Sequence, residues 1–178
     1  MKDKLEFLQL LLPHAVDAIG VQHGWLVRWA LAKAAQECGW NAKNALIARG
    51  NNCLGIKAGV QTDDGSWALF PGVTPIWLAA TTGPEIGKMI PWRAFPLGLT
   101  QCFAELVRMW NDRAPYCPWR NQTVQSFEEI YADGTPGHSL DVLTNMHDIE
   151  VQLYGSGMVD ERGRIVVPVA APHMERSA

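Results

Sequence analysis

Apolar positions recur with a helical period towards both ends of the chain and lose that period in the middle. Leu5, Leu8, Leu11 and Leu12 fall on one face, which predicts a first helix running to about Ile19, with Pro13 breaking or kinking it. Leu26, Trp29, Ala30, Lys33, Ala34 and Glu37 recur at the same spacing and predict a second helix from about Trp25 to Glu37, stopped by Gly39. Leu99 to Trp110, Val124 to Tyr131 and Leu140 to Tyr154 read as three further helices, with breaks at Pro115, Pro118, Gly134 and Pro136. Between Ala58 and Trp92 the chain carries Pro71, Pro75, Pro84 and Pro91 and little strand-like alternation, which predicts a small, irregular β-lobe. The class is therefore mainly α with a small β-lobe. Arg164 to Val169 is apolar and β-branched, suited to a terminal strand or arm.

Composition sharpens this picture. At 178 residues, 48% hydrophobic and 19% charged, the chain can bury one full core, expected over residues 1–154. Residues 155–178 form a C-terminal extension that suits a closing strand, a docking arm for a larger assembly, or a tail. A net charge of −3 offers no basic stripe, so nucleic acid is not an expected partner, and the eight tryptophans fit carbohydrate or core packing better than base stacking. Lys2 and Lys4 precede an apolar run as in an export signal, but Glu6 and Gln9 interrupt it and Pro13 and Asp17 follow. No stretch approaches the roughly 20 apolar residues of a membrane span, so no membrane is expected as partner. Cys38, Cys53, Cys102 and Cys117 are widely spread without a C-x-x-C pair, which argues against zinc and for small buried thiols, with a Cys38–Cys53 disulfide as the alternative after export. No cofactor or metal is expected. No histidine neighbours Cys38 in sequence, which argues against a nucleophilic thiol, and the scattered histidines are assigned no catalytic role.

The segment richest in chemistry is Ala32-Lys33-Ala34-Ala35-Gln36-Glu37-Cys38-Gly39-Trp40-Asn41, followed by Asn51-Asn52-Cys53-Leu54-Gly55-Ile56-Lys57-Ala58. It sets one carboxylate at the end of a largely apolar helix and returns the chain through an amide-rich loop. A carboxyl against apolar walls loses solvation of its charged form, which raises its pKa from the ordinary value of about 4.3 towards neutrality. Such a group can give a proton to a glycosidic oxygen, while a second group on the opposite face delivers water or stabilises positive charge. Glu37 is the candidate acid. Trp40 is the candidate apolar wall and flat sugar-binding surface. The bland reading, a solvated helix-end glutamate beside a core tryptophan, fits the spacing alone as well.

Those two blocks resemble the A-x-E-S-G-W-G and N-N-L-F-G-I-K-A signatures of bacterial N-acetylglucosaminidases of glycoside hydrolase family 73. Trp92-Arg93-Ala94-Phe95 is similar to that family's F-R-x-Y segment, and Tyr131-Ala132-Asp133 to its Y-A-T-D element, in the same order. The resemblance runs from about Phe7 to Leu153. Cys38 stands where serine is usual, Asn41 where glycine is common, and Cys53-Leu54 where leucine and phenylalanine are usual. The resemblance implies an α+β, lysozyme-like fold, a helical lobe and a small β-lobe flanking a substrate cleft. It also implies hydrolysis of the β-1,4 bond between N-acetylglucosamine and N-acetylmuramic acid in peptidoglycan.

It further implies a supporting carboxylate on the β-lobe. Glu85 is favoured because Thr81-Thr82-Gly83-Pro84-Glu85 resembles the strand and turn before F-R-x-Y, although it lies 48 residues beyond Glu37 and needs an inserted lobe. Asp63 and Asp64 are the alternatives, and Asp-Asp-Gly reads first as a turn. Tyr131 is the third catalytic candidate, a phenol able to donate and accept beside the reaction centre, or else a half-buried aromatic at a helix end. Asn52 is a substrate-binding candidate, its amide suited to an N-acetyl group, or else a residue capping the loop. A muramidase or lytic transglycosylase of the same superfold, and a noncatalytic wall-binding or phage structural module, are the competing functions. The expected setting is a monomer made in the cytoplasm without an export signal. It would reach the wall by endolysin release or by loading into a secretion or phage-tail machine.

Overall fold

The computed structural model describes residues 2–80, 86–112 and 137–166. Helix α1 spans Lys2–Ile19 and buries Phe7, Leu8, Leu11, Leu12 and Ala15. Pro13 neither breaks nor ends it. The carbonyl that a proline at this position leaves without a donor belongs to Gln9, and both residues are exposed, so water can satisfy it while the opposite face stays packed.

A 3-10 turn, Val21–His23, leads into α2, Gly24–Cys38. Trp29 to Ala35 are buried without interruption, so α2 is enclosed on all sides rather than along one stripe. Lys33 is fully buried within it. Gly39 caps α2 in the left-handed conformation (φ 61°), its N–H donating to the Ala35 carbonyl, and Trp40 follows with φ 59°. Two successive left-handed residues turn the chain sharply away. Asn44 then caps the short helix α3, Ala45–Gly50, its Oδ1 accepting from the Leu46 N–H at 2.9 Å. This helix was not anticipated from periodicity.

The β-lobe is more regular than its prolines suggest. Strand β1 (Gly59–Gln61) pairs antiparallel with β2 (Trp67–Leu69), and β3 (Pro75–Ala79) with β4 (Met89–Arg93). A bridge between Lys57 and Trp92 joins the two hairpins. Pro75 opens its strand, where a missing N–H costs little. Pro91 lies opposite Trp77, and its carbonyl accepts from the Ala58 N–H at 2.8 Å on the side away from β3. A strand residue directs its N and O to the same side, so the ring occupies a position that owes β3 no hydrogen bond.

Helix α4, Leu99–Asp112, and helix α5, His138–Gly155, are the remaining helices among the described residues, each within two residues of its expected start. Helix α1 packs on α2 and α4, and α2 on α5. Beyond α5 the chain turns back, pairs Val159 with Ile165, and inserts Met158 and Ile165 into the same core as Phe7, Leu31 and Phe103. Arg28 of α2 holds this turn by donating to the Gly163 carbonyl at 2.8 Å. The expected helix from Val124 to Tyr131, and the part of the Arg164 to Val169 segment beyond Val166, lie outside the described residues. Among the described residues no helix is long and apolar enough to cross a membrane.

Candidate active site

Glu37 occupies the last turn of α2, half-buried, between buried Ala35 and Cys38. Its side chain lies over the loop that follows α3, where its carboxyl group rests on the backbone of Gly55. Lys33, one turn earlier on the same helix face, is a fully buried charged residue that the sequence pattern counted as part of an apolar stripe.

The loop beneath Glu37 is held from several directions. Asn51 closes α3 in the left-handed conformation (φ 49°) and donates through Nδ2 to the Phe95 carbonyl at 3.0 Å. Asn52 is fully buried. Its Oδ1 accepts from the Ile56 N–H at 3.0 Å, and its Nδ2 donates to the carbonyls of Ile56 (2.8 Å) and Arg93 (2.9 Å). Both amide protons are thus committed to backbone, and none is left for a sugar N-acetyl group. The contribution of Asn52 is to fasten the loop to itself and to β4. The Cys38 thiol adds a tie by donating to the Cys53 carbonyl at 3.4 Å.

Trp40 also has a packing role. Its ring lies 5.6 Å from that of Phe7 at a tilt of 58°, the Lys4 Nζ sits 4.7 Å from the ring centre, and Nε1 donates to Asn145 Oδ1 of α5 at 3.0 Å. Asn145 in turn donates to Gln36 Oε1 at 3.1 Å. The tryptophan locks the end of α2 between α1 and α5. What it leaves open borders a groove lined by Asp3, Lys4, Gly39, Asn41 and Lys43, and Glu37 is not among the residues of that groove.

On the β-lobe, Asp63 and Asp64 stand exposed in the turn between β1 and β2. Asp64 Oδ1 accepts from the Thr62 hydroxyl (2.6 Å), the Ser66 N–H (3.0 Å) and the Ser66 hydroxyl (2.8 Å). These bonds, the Thr62 hydroxyl foremost, draw its carboxyl down to about 2, so it stays ionised and cannot serve as an acid. Glu85 and Tyr131 lie outside the described residues.

A charged cluster that sequence reasoning missed joins the lobes. Arg93 of β4 reaches Glu105 of α4 at 2.6 Å, and Arg108 grips the same carboxylate at 2.6 Å and 2.8 Å. Burial pushes the Glu105 carboxyl up, but Arg108 and Arg93 outweigh it and hold the group below its ordinary range. The Arg93 guanidinium also lies 5.2 Å from the Phe95 ring. The available signal was the pairing of Glu105 with Arg108 at helical spacing beside buried Cys102, Phe103 and Leu106.

Cys38, Cys53 and Cys102 are free and buried. The alternative Cys38–Cys53 disulfide is not formed, because Cys53 Sγ turns towards Cys102 Sγ at 3.9 Å while Cys38 Sγ meets a carbonyl. Burial, followed by the charge of Glu37, pushes the Cys38 thiol well above its usual range, the opposite of what a nucleophile needs. Among the described residues no group of His, Cys, Asp and Glu side chains is placed to hold a metal ion.

No protein-family model matches the chain, and no curated protein matches it in sequence, so the family 73 resemblance rests on its short blocks alone. In three dimensions the chain is similar to the crystal structure of a peptidoglycan hydrolase from Sphingomonas sp. A1. The TM-score is 0.58 and the identity 17%, over 85% of this chain and 94% of that one. The similarity is one of fold, and the described residues of this chain form a helical lobe with two small antiparallel sheets, an α+β lysozyme-like arrangement.

Proposed function

We propose that this protein is a peptidoglycan hydrolase that cleaves the β-1,4 bond between N-acetylglucosamine and N-acetylmuramic acid, with Glu37 as general acid. The observation that carries the proposal is the seat of Glu37. A carboxylate at the end of an enclosed helix is laid on a loop whose backbone is fastened by Asn52 and Cys38, with buried Leu54 beside it. A group so placed is preorganised, and a rigid acid loses little freedom when the transition state forms. The similarity of fold to a protein described as a peptidoglycan hydrolase, and the order of the sequence blocks, support the same reading.

In this mechanism Glu37 donates its proton to the leaving sugar oxygen as the glycosidic bond breaks and positive charge builds on the ring. A second carboxylate on the β-lobe, for which Glu85 remains the choice, stabilises that charge or activates water. Asp64 carries the charge that this task needs, but its Oδ1 is committed to Thr62 and Ser66 within its own turn. Tyr131 positions substrate or water near the reaction centre. The Arg93–Glu105–Arg108 cluster ties β4 to α4.

Digestion of purified peptidoglycan with the wild type and with Glu37→Gln tests the proposal, the fragment ends being identified by mass spectrometry after borohydride reduction. Reduced N-acetylglucosamine ends made by the wild type alone are expected. Muramic ends, or their anhydro form, would move the protein to the muramidases or lytic transglycosylases. Undiminished cleavage by Glu37→Gln would remove Glu37 from the acid role.

A further inference from the structure

Gly55 lacks a side chain for a reason that its backbone conformation does not exhaust. Its φ of 63° lies in the left-handed region, as do those of Gly39, Gly65 and Gly87, and all four positions disfavour an L side chain on that ground. At Gly39, Gly65 and Gly87, however, an added Cβ meets nothing within 4 Å. At Gly55 it overlaps a carboxylate oxygen of Glu37 and comes within 2.9 Å of its Cδ and 3.3 Å of its Cγ. Non-bonded carbons are at their best separation at roughly 3.5–4.0 Å, so the two side chains cannot both be accommodated without movement.

The loop cannot easily yield. Asn52 bonds both the N–H and the carbonyl of Ile56, bracketing the segment that contains Gly55, and ties it to Arg93. Cys38, the residue after Glu37, holds the Cys53 carbonyl. A side chain at position 55 would therefore displace the carboxylate rather than the loop. We infer that Gly55 is a positioning residue: its bare Cα is the floor on which the Glu37 carboxylate settles, and it fixes the conformation from which that group addresses the scissile bond. The inference rests on the role proposed for Glu37 and deepens it.

Gly55→Ala and Gly55→Asn test it, with Gly65→Ala and Gly65→Asn as controls for backbone strain alone, since Gly65 has a φ of 82° and open space around it. Asparagine tolerates the left-handed region better than alanine. The Gly65 variants are expected to keep kcat within about twofold of wild type, whereas a carboxylate displaced by about 1 Å costs on the order of 100-fold in kcat, with KM little changed. Without any substrate, the ¹³Cδ resonance of Glu37, identified by its loss in Glu37→Gln, moves in Gly55→Ala and stays in Gly65→Ala. A displaced resonance in a protein that cleaves no glycan upholds the positioning and sinks the proposed function. A folded Gly55→Ala with wild-type resonance and kcat overturns the positioning. Should Gly55→Ala fail to fold, a Glu37→Ala background decides. Removing the obstructing side chain should restore folding to Gly55→Ala, with a Tm near that of Gly65→Ala in the same background, and continued failure to fold there overturns the inference.

Discussion

Two carboxylates, Glu37 and Asp64, each lie against tightly organised backbone, yet their surroundings prepare them for opposite tasks. Asp64 sits exposed at a hairpin tip and draws its hydrogen bonds from Thr62 and Ser66, its own near neighbours in sequence. Its partners donate, so they favour the charge and fasten the turn. Glu37 sits half-buried at the end of an enclosed helix and touches a loop distant in sequence, which is itself fastened by Asn52, Cys38 and Asn51. One carboxylate supports its own segment. For the other, the surrounding segments are the support, and that asymmetry favours the role proposed for Glu37.

The comparison breaks most sharply on rate. Glu37→Gln keeps shape and volume but removes the proton, so kcat should fall by about 10²–10⁴-fold, with a Tm near that of the wild type. A comparable fall in Tm would instead assign Glu37 to the scaffold.

Next in size is the fastening of the loop. Asn52→Ala strips partners from the Ile56 N–H and the carbonyls of Ile56 and Arg93, and should cost about 3 kcal/mol in urea unfolding at unchanged m-value. Because the loop carries Gly55, residual activity in the folded fraction should fall too. A variant that loses activity but no stability would return Asn52 to the substrate.

Smaller is the contribution of the strap between the lobes. The folded-state carboxyl of Glu105 is held below its ordinary value, so its stabilisation is complete above the unfolded carboxylate range and is lost as pH falls through the depressed folded value. Denaturation midpoints of wild type and Glu105→Gln should therefore differ most at neutral pH and converge on acidification below about pH 4.3. A constant gap across that range would mean that shape, not charge, holds β4 to α4.

The same asymmetry explains what could be read from the sequence. Helices α1, α2, α4 and α5 were legible because each buries residues at helical spacing, and Gly39 because a left-handed cap has few alternatives. Helix α3 escaped because six residues are too few to show a period, although Asn44 marked its start. The small β-lobe was expected, but the bounds of its strands were not, because strands of three to five residues show almost no alternation, and because Pro75 and Pro91 read as breakers until their unbonded sides are known. Glu37 was singled out through its motif as the proposed acid. Trp40 and Asn52 were legible as important but not as to which way they face, since an indole or an amide serves a sugar and a neighbouring backbone equally well. Arg93 and Glu105, on different elements, had no spacing rule to join them.

The smallest expected effect cuts the comparison most finely. Asp64→Ala removes acceptor bonds that all lie within the Thr62–Ser66 turn, on residues already exposed to water, so the hairpin tip should loosen while the helical core stays as it was. Amide exchange should quicken at Ser66 and leave Ala34 and Ala35 unchanged, and kcat should remain within about twofold of wild type, as for a surface change away from the reacting groups. Its carboxyl resonance should titrate near pH 2 in the wild type, well below the pH at which a glycosidase acid must hold its proton. Should turnover collapse in a folded Asp64→Ala protein, the supporting carboxylate would belong to this hairpin rather than to Glu85. The turn's own hydrogen bonds would then be the means of keeping a catalytic charge ionised beside Glu37.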